Sequence, residues 1–178
     1  MRRNNSIALT AFLLAVSGCA GEINGFDIWN GNPTPATMAA AQQSLSTNLK
    51  RLDDTLAKVP KRSLKGNDKA SAKEVLHKLK DLRSVIDMGV SYNDYPKYVR
   101  DARFTLNRFS SNSAGQRDLI KAFDLCLQPF VDAQQHFSEY VLSRRGSIGE
   151  NMNRWKLHNS WKTGKELVQL LATRFDPL

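Results

Sequence analysis

The sequence is poor in the residue types that most often carry chemistry. It holds two cysteines, Cys19 and Cys126, and three histidines, His77, His136 and His158. No histidine has a second histidine, a cysteine or a group of carboxylates at metal-ligand spacing, so no metal site is expected. No apolar run approaches the roughly 18 residues that a membrane-spanning helix needs. Composition therefore argues against a metalloprotein and against a protein with several membrane spans.

Sequence motifs of common enzymes are also missing. The chain has no Gly-x-Ser-x-Gly, His-Glu-x-x-His or glycine-rich phosphate loop. Its carboxylates lie mainly among lysines and arginines, which is typical of solvated ion pairs rather than of acid–base catalysis. We therefore expect no enzyme activity and no cofactor.

One cofactor alternative stays open. A histidine and a methionine can ligate haem inside a helical bundle, as in the periplasmic four-helix b-type cytochromes, which this chain resembles in architecture alone. Met38 with His136 or His158 would supply such a pair, although no Cys-x-x-Cys-His attachment motif occurs. Methionines on an apolar helix stripe are more often part of the core.

The first nineteen residues combine the features of a secretion signal. Arg2 and Arg3 give a basic start, and residues 7–16 follow with Thr10 as the one polar side chain. Ten residues rise about 15 Å as a helix, half of a ~30 Å hydrocarbon core, so the segment is too short for a permanent span. Val16-Ser17-Gly18-Cys19 then places two small residues between an aliphatic residue and a cysteine.

This segment resembles the lipobox signal of bacterial lipoproteins, and the resemblance covers residues 1–19. It implies that the Cys19 thiol receives a diacylglycerol, that the signal peptide of residues 1–18 is removed, and that acyl chains (palmitate among them) hold the mature chain on a bilayer. Members kept in the inner membrane carry Asp after the cysteine, whereas this chain has Ala20. The resemblance therefore implies the outer membrane, on its periplasmic face. Ordinary secretory cleavage after Ala20 is the alternative.

Residues 19–36 form the lipid-bearing N-terminus and a predicted flexible tether. Glycine, asparagine and proline are frequent there, as in extended or disordered linkers. Four side chains are unusually apolar for a spacer, namely Ile23, Phe26, Ile28 and Trp29. They would either dock onto the body or lie at the lipid interface, and we favour docking.

Helical periodicity runs through the body, residues 37–178. Thr34 and Pro35 are suited to cap and begin a first helix, and Pro60 ends it. Apolar residues then recur every three or four positions in five segments. The stripes are Met38, Ala41, Leu45, Leu49, Leu52, Leu56 and Val59; Ala72, Val75, Leu76, Leu79, Leu82 and Ile86; Tyr95, Val99, Ala102, Leu106 and Phe109; Leu119, Phe123, Cys126, Phe130, Ala133, Phe137 and Tyr140; and Trp161, Gly164, Val168, Leu171 and Phe175.

Local signals set the expected helix boundaries. The second helix is predicted to begin near Asp68, with Ser71 and Glu74 as a capping box, and to end at Gly89. The third begins at residues 94–96, and residues 110–115 form a loop. Pro129 should bend the fourth helix, which Gly146 closes. Residues 155–157 have no clear assignment.

Together these signals predict an all-α protein, an up-and-down antiparallel bundle of four to five helices after the flexible tether. No alternating strand pattern competes with them. Because a lipidated Cys19 would leave Cys126 without a partner in its own chain, the position of Cys126 on the fourth stripe predicts a buried thiol.

The mature chain is strongly basic. Removal of Arg2 and Arg3 leaves 24 basic against 17 acidic side chains, a net charge of +7. In the periplasm nucleic acid is not an expected partner. The expected partners are phospholipid head groups, lipopolysaccharide phosphates or an acidic protein surface.

Two groups of basic residues are the candidate binding surfaces. The first group is Lys61, Arg62, Lys65, Lys69, Lys73 and Lys80. The second group is Arg144, Arg145, Arg154 and Lys156, interleaved with the candidate interface aromatics Trp155 and Trp161. Either group could bind anionic lipid or an acidic partner, and either could equally be a solvated surface that contributes only solubility.

The expected function follows from an anchor, a tether and a body that lacks a catalytic motif. We expect a lipid-anchored, non-enzymatic binding or scaffold module that holds another cell-envelope component near the outer membrane. A helical bundle that binds haem or a small hydrophobic ligand is one alternative. An envelope hydrolase without a recognisable motif is the other.

Overall fold

A computed structural model of the chain describes residues 22–23, 25–27, 30–59, 64 and 66–175. The signal peptide and Cys19 lie outside these residues, as do Ile28 and Trp29. The described residues form five helices, which are α1 (Pro35–Leu56), α2 (Gly66–Met88), α3 (Tyr95–Asn112), α4 (Arg117–Leu142) and α5 (Ile148–Phe175). Successive helices run antiparallel through short connections, and α4 and α5 share the most extensive interface. The predicted all-α up-and-down bundle is confirmed.

Several predicted helix ends are confirmed. Thr34 precedes α1, and its hydroxyl oxygen accepts a hydrogen bond from the Thr37 amide at 3.3 Å, with Pro35 at the first helical position. Gly89 ends α2 with φ of +88°, a conformation that glycine adopts without strain. Asp94 precedes α3, and Pro96 lies in its first turn.

Other boundaries differ from the prediction. α2 begins at Gly66, so Ser71 lies inside the helix and the predicted capping box is wrong. The Asp68 carboxylate instead accepts a hydrogen bond from the Ser113 hydroxyl. α3 continues to Asn112, so residues 110–112 are helical rather than part of the predicted loop. α5 is one helix of 28 residues, and it includes the unassigned stretch around Leu157.

The core is lined by the predicted stripes of α2, α3 and α4, with α5 completing it. Tyr95, the large aromatic at the start of α3, is fully buried, and its hydroxyl donates to the Phe130 carbonyl oxygen at 2.8 Å. α1 contributes least to the core, because two of its 22 residues, Leu45 and Leu52, are buried. Met38 was expected on the α1 stripe but is 50% exposed, so that part of the prediction is wrong.

The N-terminal segment adds a short feature that no sequence pattern predicted. Two strands, β1 (Glu22–Ile23) and β2 (Phe26–Asp27), pair in an antiparallel ladder. Phe26 is 3% exposed, and its ring meets Trp155 edge-on with 5.4 Å between centroids. The Thr37 hydroxyl donates to the Gly25 carbonyl oxygen at 2.6 Å. Phe26 therefore docks onto the body, as we favoured.

Gly164 of α5 lies directly against the Phe130 ring of α4. A Cβ atom placed on this residue would lie 2.7–2.9 Å from three carbon atoms of the Phe130 ring. The Phe130 side chain is fully buried, so the ring has no space into which it could move. The missing side chain at position 164 therefore sets the spacing between the two helices.

We expect Gly164→Ala to destabilise the protein. Overpacking a filled core costs about 1–3 kcal/mol, which outweighs the ~1 kcal/mol that alanine gains over glycine in a helix. Gly149→Ala is the matched control, because it lies in the same helix and a Cβ there meets the Ser147 hydroxyl at an ordinary 3.7 Å. Chemical denaturation should show a lower free energy of unfolding for the first variant and no loss for the second. Equal stability of the two variants would contradict this packing.

Candidate functional site

The first basic group is dispersed among acidic side chains. Lys61, Arg62 and Lys65 lie outside the described residues. Of the others, Lys73 is exposed, whereas Lys69 and Lys80 are half-buried. α2 as a whole carries five basic and four acidic residues, so its charge is nearly balanced.

Ion pairs explain this balance on α2. His77 and Lys78 lie 3.7 and 3.9 Å from the Asp81 carboxylate, and Arg108 of α3 donates to Glu74. Exposed pairs of this kind contribute little to stability and leave little net field. The described part of the first group thus has the character of a solvated surface.

The two tryptophans of the second group are half-buried and pack against other aromatic rings of the chain. Trp155 is half-buried and packs against Phe26. Trp161 meets the rings of Tyr95 at 5.8 Å and Phe137 at 5.5 Å, both edge-on. Their assignment as candidate interface aromatics stays a prediction, and each ring is used in packing within the chain. Burial of the Trp161 Nε1 atom, without a hydrogen-bond partner in the described part of the chain, agrees with this.

The basic residues of the second group divide into two kinds. Arg154 lies 3.1 Å from Glu150 and 5.6 Å from the centre of the Tyr140 ring, and the Lys156 ammonium lies 5.9 Å from the Phe26 ring centre. Arg144 and Arg145 are exposed in the turn between α4 and α5, and neither forms an ion pair with a described residue. The unpaired charge of this group is thus concentrated in the turn.

Two large aliphatic side chains precede these arginines at the end of α4. Leu142 is 81% exposed and Val141 is 46% exposed. Sequence reasoning missed both, although a signal existed: the α4 stripe passes through Phe137 and Tyr140, so Leu142 lies off it. The α4–α5 turn, defined here as residues 141–147, therefore presents apolar and cationic side chains together.

Hydrogen bonds hold the α4–α5 turn in one conformation. The Ser143 hydroxyl donates to the Glu139 carbonyl at 2.7 Å and accepts from the Asn153 side chain at 3.0 Å. The Ser147 hydroxyl accepts from the Glu150 amide at 3.1 Å and so caps α5. The Gly146 amide donates to the Glu150 carboxylate, and this bond, aided by Arg154 and Arg145, lowers the pKa of Glu150.

The N-terminal segment lies on the same end of the bundle. Gly31 rests against the start of α5, where a Cβ atom would lie 2.5 Å from the Ile148 carbonyl oxygen. The Asn151 side chain donates to the Asn30 carbonyl at 2.6 Å. Residues 30 and 31 of the N-terminal segment therefore lie against the first turn of α5, next to the α4–α5 turn.

A groove between α1 and α5 brings one predicted haem-ligand pair together. It has a volume of about 330 Å³. Its walls are Met38, Ala41, Gln42, Trp155, His158, Asn159 and Lys162. Burial, with the nearby charges of Arg154 and Lys165, lowers the pKa of His158 and so favours the neutral imidazole. His136 is elsewhere, and its Nδ1 atom lies 3.5 Å from the Glu139 carboxylate.

A smaller apolar pocket of about 180 Å³ lies at the opposite end of the bundle. It is lined by Asp53, Leu56, Ala57, Val59, Leu119, Arg174 and Phe175. The Arg174 guanidinium lies 2.8 Å from the Asp53 carboxylate at its edge. An engineered apolar cavity of ~150 Å³ holds one benzene ring, so this pocket is about the size of a single small ring.

No protein-family model, curated protein or solved structure matches the chain. Within residues 22–175 as far as they are described, no helix is long and apolar enough to cross a membrane. The same residues contain no group of three or more histidine, cysteine, aspartate or glutamate side chains placed to hold a metal ion.

Cys126 is fully buried, as its position on the α4 stripe predicted, and burial raises the pKa of its thiol. We expect a Cys19→Ser chain, in which Cys126 is the single thiol, to resist a thiol reagent such as dithionitrobenzoate in native buffer. Addition of denaturant should release one thiol per chain within seconds, because thiolate formation and access both require unfolding. Rapid reaction without denaturant would contradict the packing around α4.

Proposed function

We propose that the protein is an outer-membrane-anchored periplasmic lipoprotein whose helical body is a non-enzymatic binding module for another envelope component. The order and spacing of the signal and lipobox residues support the anchor. The observation that carries the proposal is the docking of the N-terminal segment through Phe26 and Gly31. It connects the lipid-bearing residue to a folded body rather than to a long free linker.

Covalent geometry limits the distance between anchor and body. Three residue steps separate Cys19 from Glu22, the first described residue, and such a length spans at most about 11 Å. An acylated Cys19 would hold one particular end of the bundle at the bilayer. This arrangement suits a module that keeps a partner close to the membrane surface.

The outer face of α3 supports a protein partner for this module. α3 carries four basic residues against one acidic residue, and three of the four form ion pairs: Lys97 with Asp94, Arg103 with Asp124 and Arg108 with Glu74. Phe104 is 66% exposed, with Arg100 one turn before it and Arg108 one turn after it. Aromatic and arginine side chains are the types enriched at the centres of protein interfaces, whereas isolated lysines are not. A protein surface that covers the Phe104 ring and offers an acceptor to Arg100 would complement this face.

Metabolic labelling tests the anchor. We expect palmitate to label the wild-type chain and a Cys126→Ser variant but not a Cys19→Ser variant, because only the lipobox cysteine is acylated in this proposal. After a high-salt wash, the first two should remain in the membrane fraction. Labelling of the Cys19→Ser variant, or the absence of labelling in all three, would remove the anchor from the proposal.

Site-specific crosslinking tests the partner surface. A benzophenone side chain at position 104 should capture a discrete protein in intact envelopes, because Phe104 lies at the centre of the proposed interface. The same group at exposed position 73, on the charge-balanced α2, is the matched control. Capture of lipid alone at position 104, or the same products at both positions, would contradict a protein partner on α3.

Ligand binding in the groove between α1 and α5 is the second candidate function. It is favoured by one observation, the placement of Met38 and His158 on the walls of the same groove. A methionine thioether and a neutral imidazole are the axial ligands of many haem proteins. The absorption spectrum of protein purified from the envelope separates the two candidates, because bound haem gives a Soret band and a scaffold module does not.

A further inference from the structure

We propose that the α4–α5 turn is a second membrane contact, at which Val141 and Leu142 enter the interfacial region of the bilayer and Arg144 and Arg145 bind the phosphates of anionic phospholipids. This inference rests on the proposed lipid anchor for its orientation. Its chemistry belongs to the turn itself and can be measured separately.

Exposure of the two aliphatic side chains is the first step of the argument. Leu142 projects from the last turn of α4 with four fifths of its surface in water, and Val141 beside it is nearly half exposed. Transfer of such side chains from water to the boundary of head groups and acyl chains is favourable. Single exposed leucines are common, so the neighbouring residues decide whether this one has a role.

Two arginines that form no ion pair with a described residue follow the aliphatic pair after Ser143. Acidic side chains near the turn have other partners: Glu150 accepts from the Gly146 amide and from Arg154, and Glu139 accepts from Gln135. Arg145 acts on Glu150 only through its charge and forms no ion pair with it, so both guanidinium groups remain available to an external anion. A guanidinium matches the two oxygens of a phosphate group, and it is less strongly hydrated than an ammonium.

The turn needs no rearrangement to make this contact. Ser143 links the end of α4 to Asn153 of α5, and Ser147 caps α5. Gly146 has φ of +74°, which allows the reversal of the chain without strain. Because the backbone is already fixed, binding loses little conformational entropy beyond that of four side chains.

Position relative to the anchor completes the argument and identifies the occupant. The N-terminal segment lies against Ile148 and Asn151, in the first turn of α5, which is the helix that the turn leads into. An acyl anchor at Cys19 would bring this end of the bundle to the bilayer at high effective concentration. The cationic residues of the turn complement the negative surface of a membrane that contains anionic phospholipid.

The test uses the mature lipoprotein reconstituted into vesicles of phosphatidylcholine with or without phosphatidylglycerol. An environment-sensitive nitrobenzoxadiazole probe is attached at a Leu142→Cys substitution, and in control proteins at Phe104→Cys and Met88→Cys, two other exposed apolar positions. Buried Cys126 does not take up the probe in the folded protein. We expect a blue shift and quenching by spin-labelled lipid at position 142 but not at positions 104 or 88.

Charge variants test the role of the arginines. In phosphatidylglycerol vesicles, Arg144→Glu with Arg145→Glu should abolish the blue shift at position 142, and Arg144→Gln with Arg145→Gln should reduce it. Lys50→Glu with Lys58→Glu makes the same charge change on exposed residues toward the other end of the bundle and should leave the shift intact. Circular dichroism verifies that each variant is folded.

The outcomes separate this inference from the proposed function. A protein that floats with the vesicles while its probe at position 142 stays in water overturns the membrane contact of the turn and leaves the anchor standing. A protein that carries no acyl chain and does not float overturns the anchor. An unchanged blue shift in the Arg→Glu double variant overturns the phosphate contact.

Discussion

Contact between the Phe130 ring and the bare backbone of Gly164 fixes how closely α4 and α5 approach, and the rest of the bundle is arranged around this pair. Phe123, Phe130 and Phe137 are spaced by seven residues on α4. Leu157, Gly164 and Leu171 are spaced by seven on α5. Alternate steps of three and four residues along both helices give the seam of an antiparallel coiled coil. The aromatic clusters at each end, Phe123 with Phe175 and Phe137 with Trp161, follow from this register.

The regular seam explains why so much of the fold could be predicted from the sequence. On α4, α3 and α2 the buried positions are apolar apart from Thr105, so periodicity locates each helix and its inner face. The first half of α5 lacks this apolar periodicity because polar residues occupy its seam positions there. Asn153 donates to Ser143, and Arg154 stacks on Tyr140. A search for periodic apolar residues does not detect either of these positions. The prediction for Met38 was wrong for a different reason. The residue is apolar and lies at a stripe position, but α1 has few neighbours there to cover it.

The candidate sites could be predicted only where the decisive contacts are local. The cationic pair Arg144 and Arg145 was visible in the sequence because both residues lie in one turn. The charge balance of α2 was not visible, since Arg108 of α3 and Lys165 of α5 reach its acidic residues across the bundle. For the same reason the tryptophans suggested an interface. Their packing partners, Phe26 and Tyr95, are distant in sequence, so the half-burial of the two rings depends on the fold.

Because the helical bundle is rigid, the proposed contacts with the membrane would also determine how the bundle is oriented. If acyl chains and the α4–α5 turn both contact the bilayer, the bundle is held at two points rather than one. Rotation about a single lipid anchor is then restricted. The outer face of α3, with Phe104 at its centre, would be presented in a fixed direction beside the membrane. A partner that binds this face would meet a surface whose orientation is already set, so less rotational freedom is lost on binding. A short anchor joined to a stiff antiparallel pair of helices can therefore do what a long flexible tether cannot, which is to position a partner as well as to retain it.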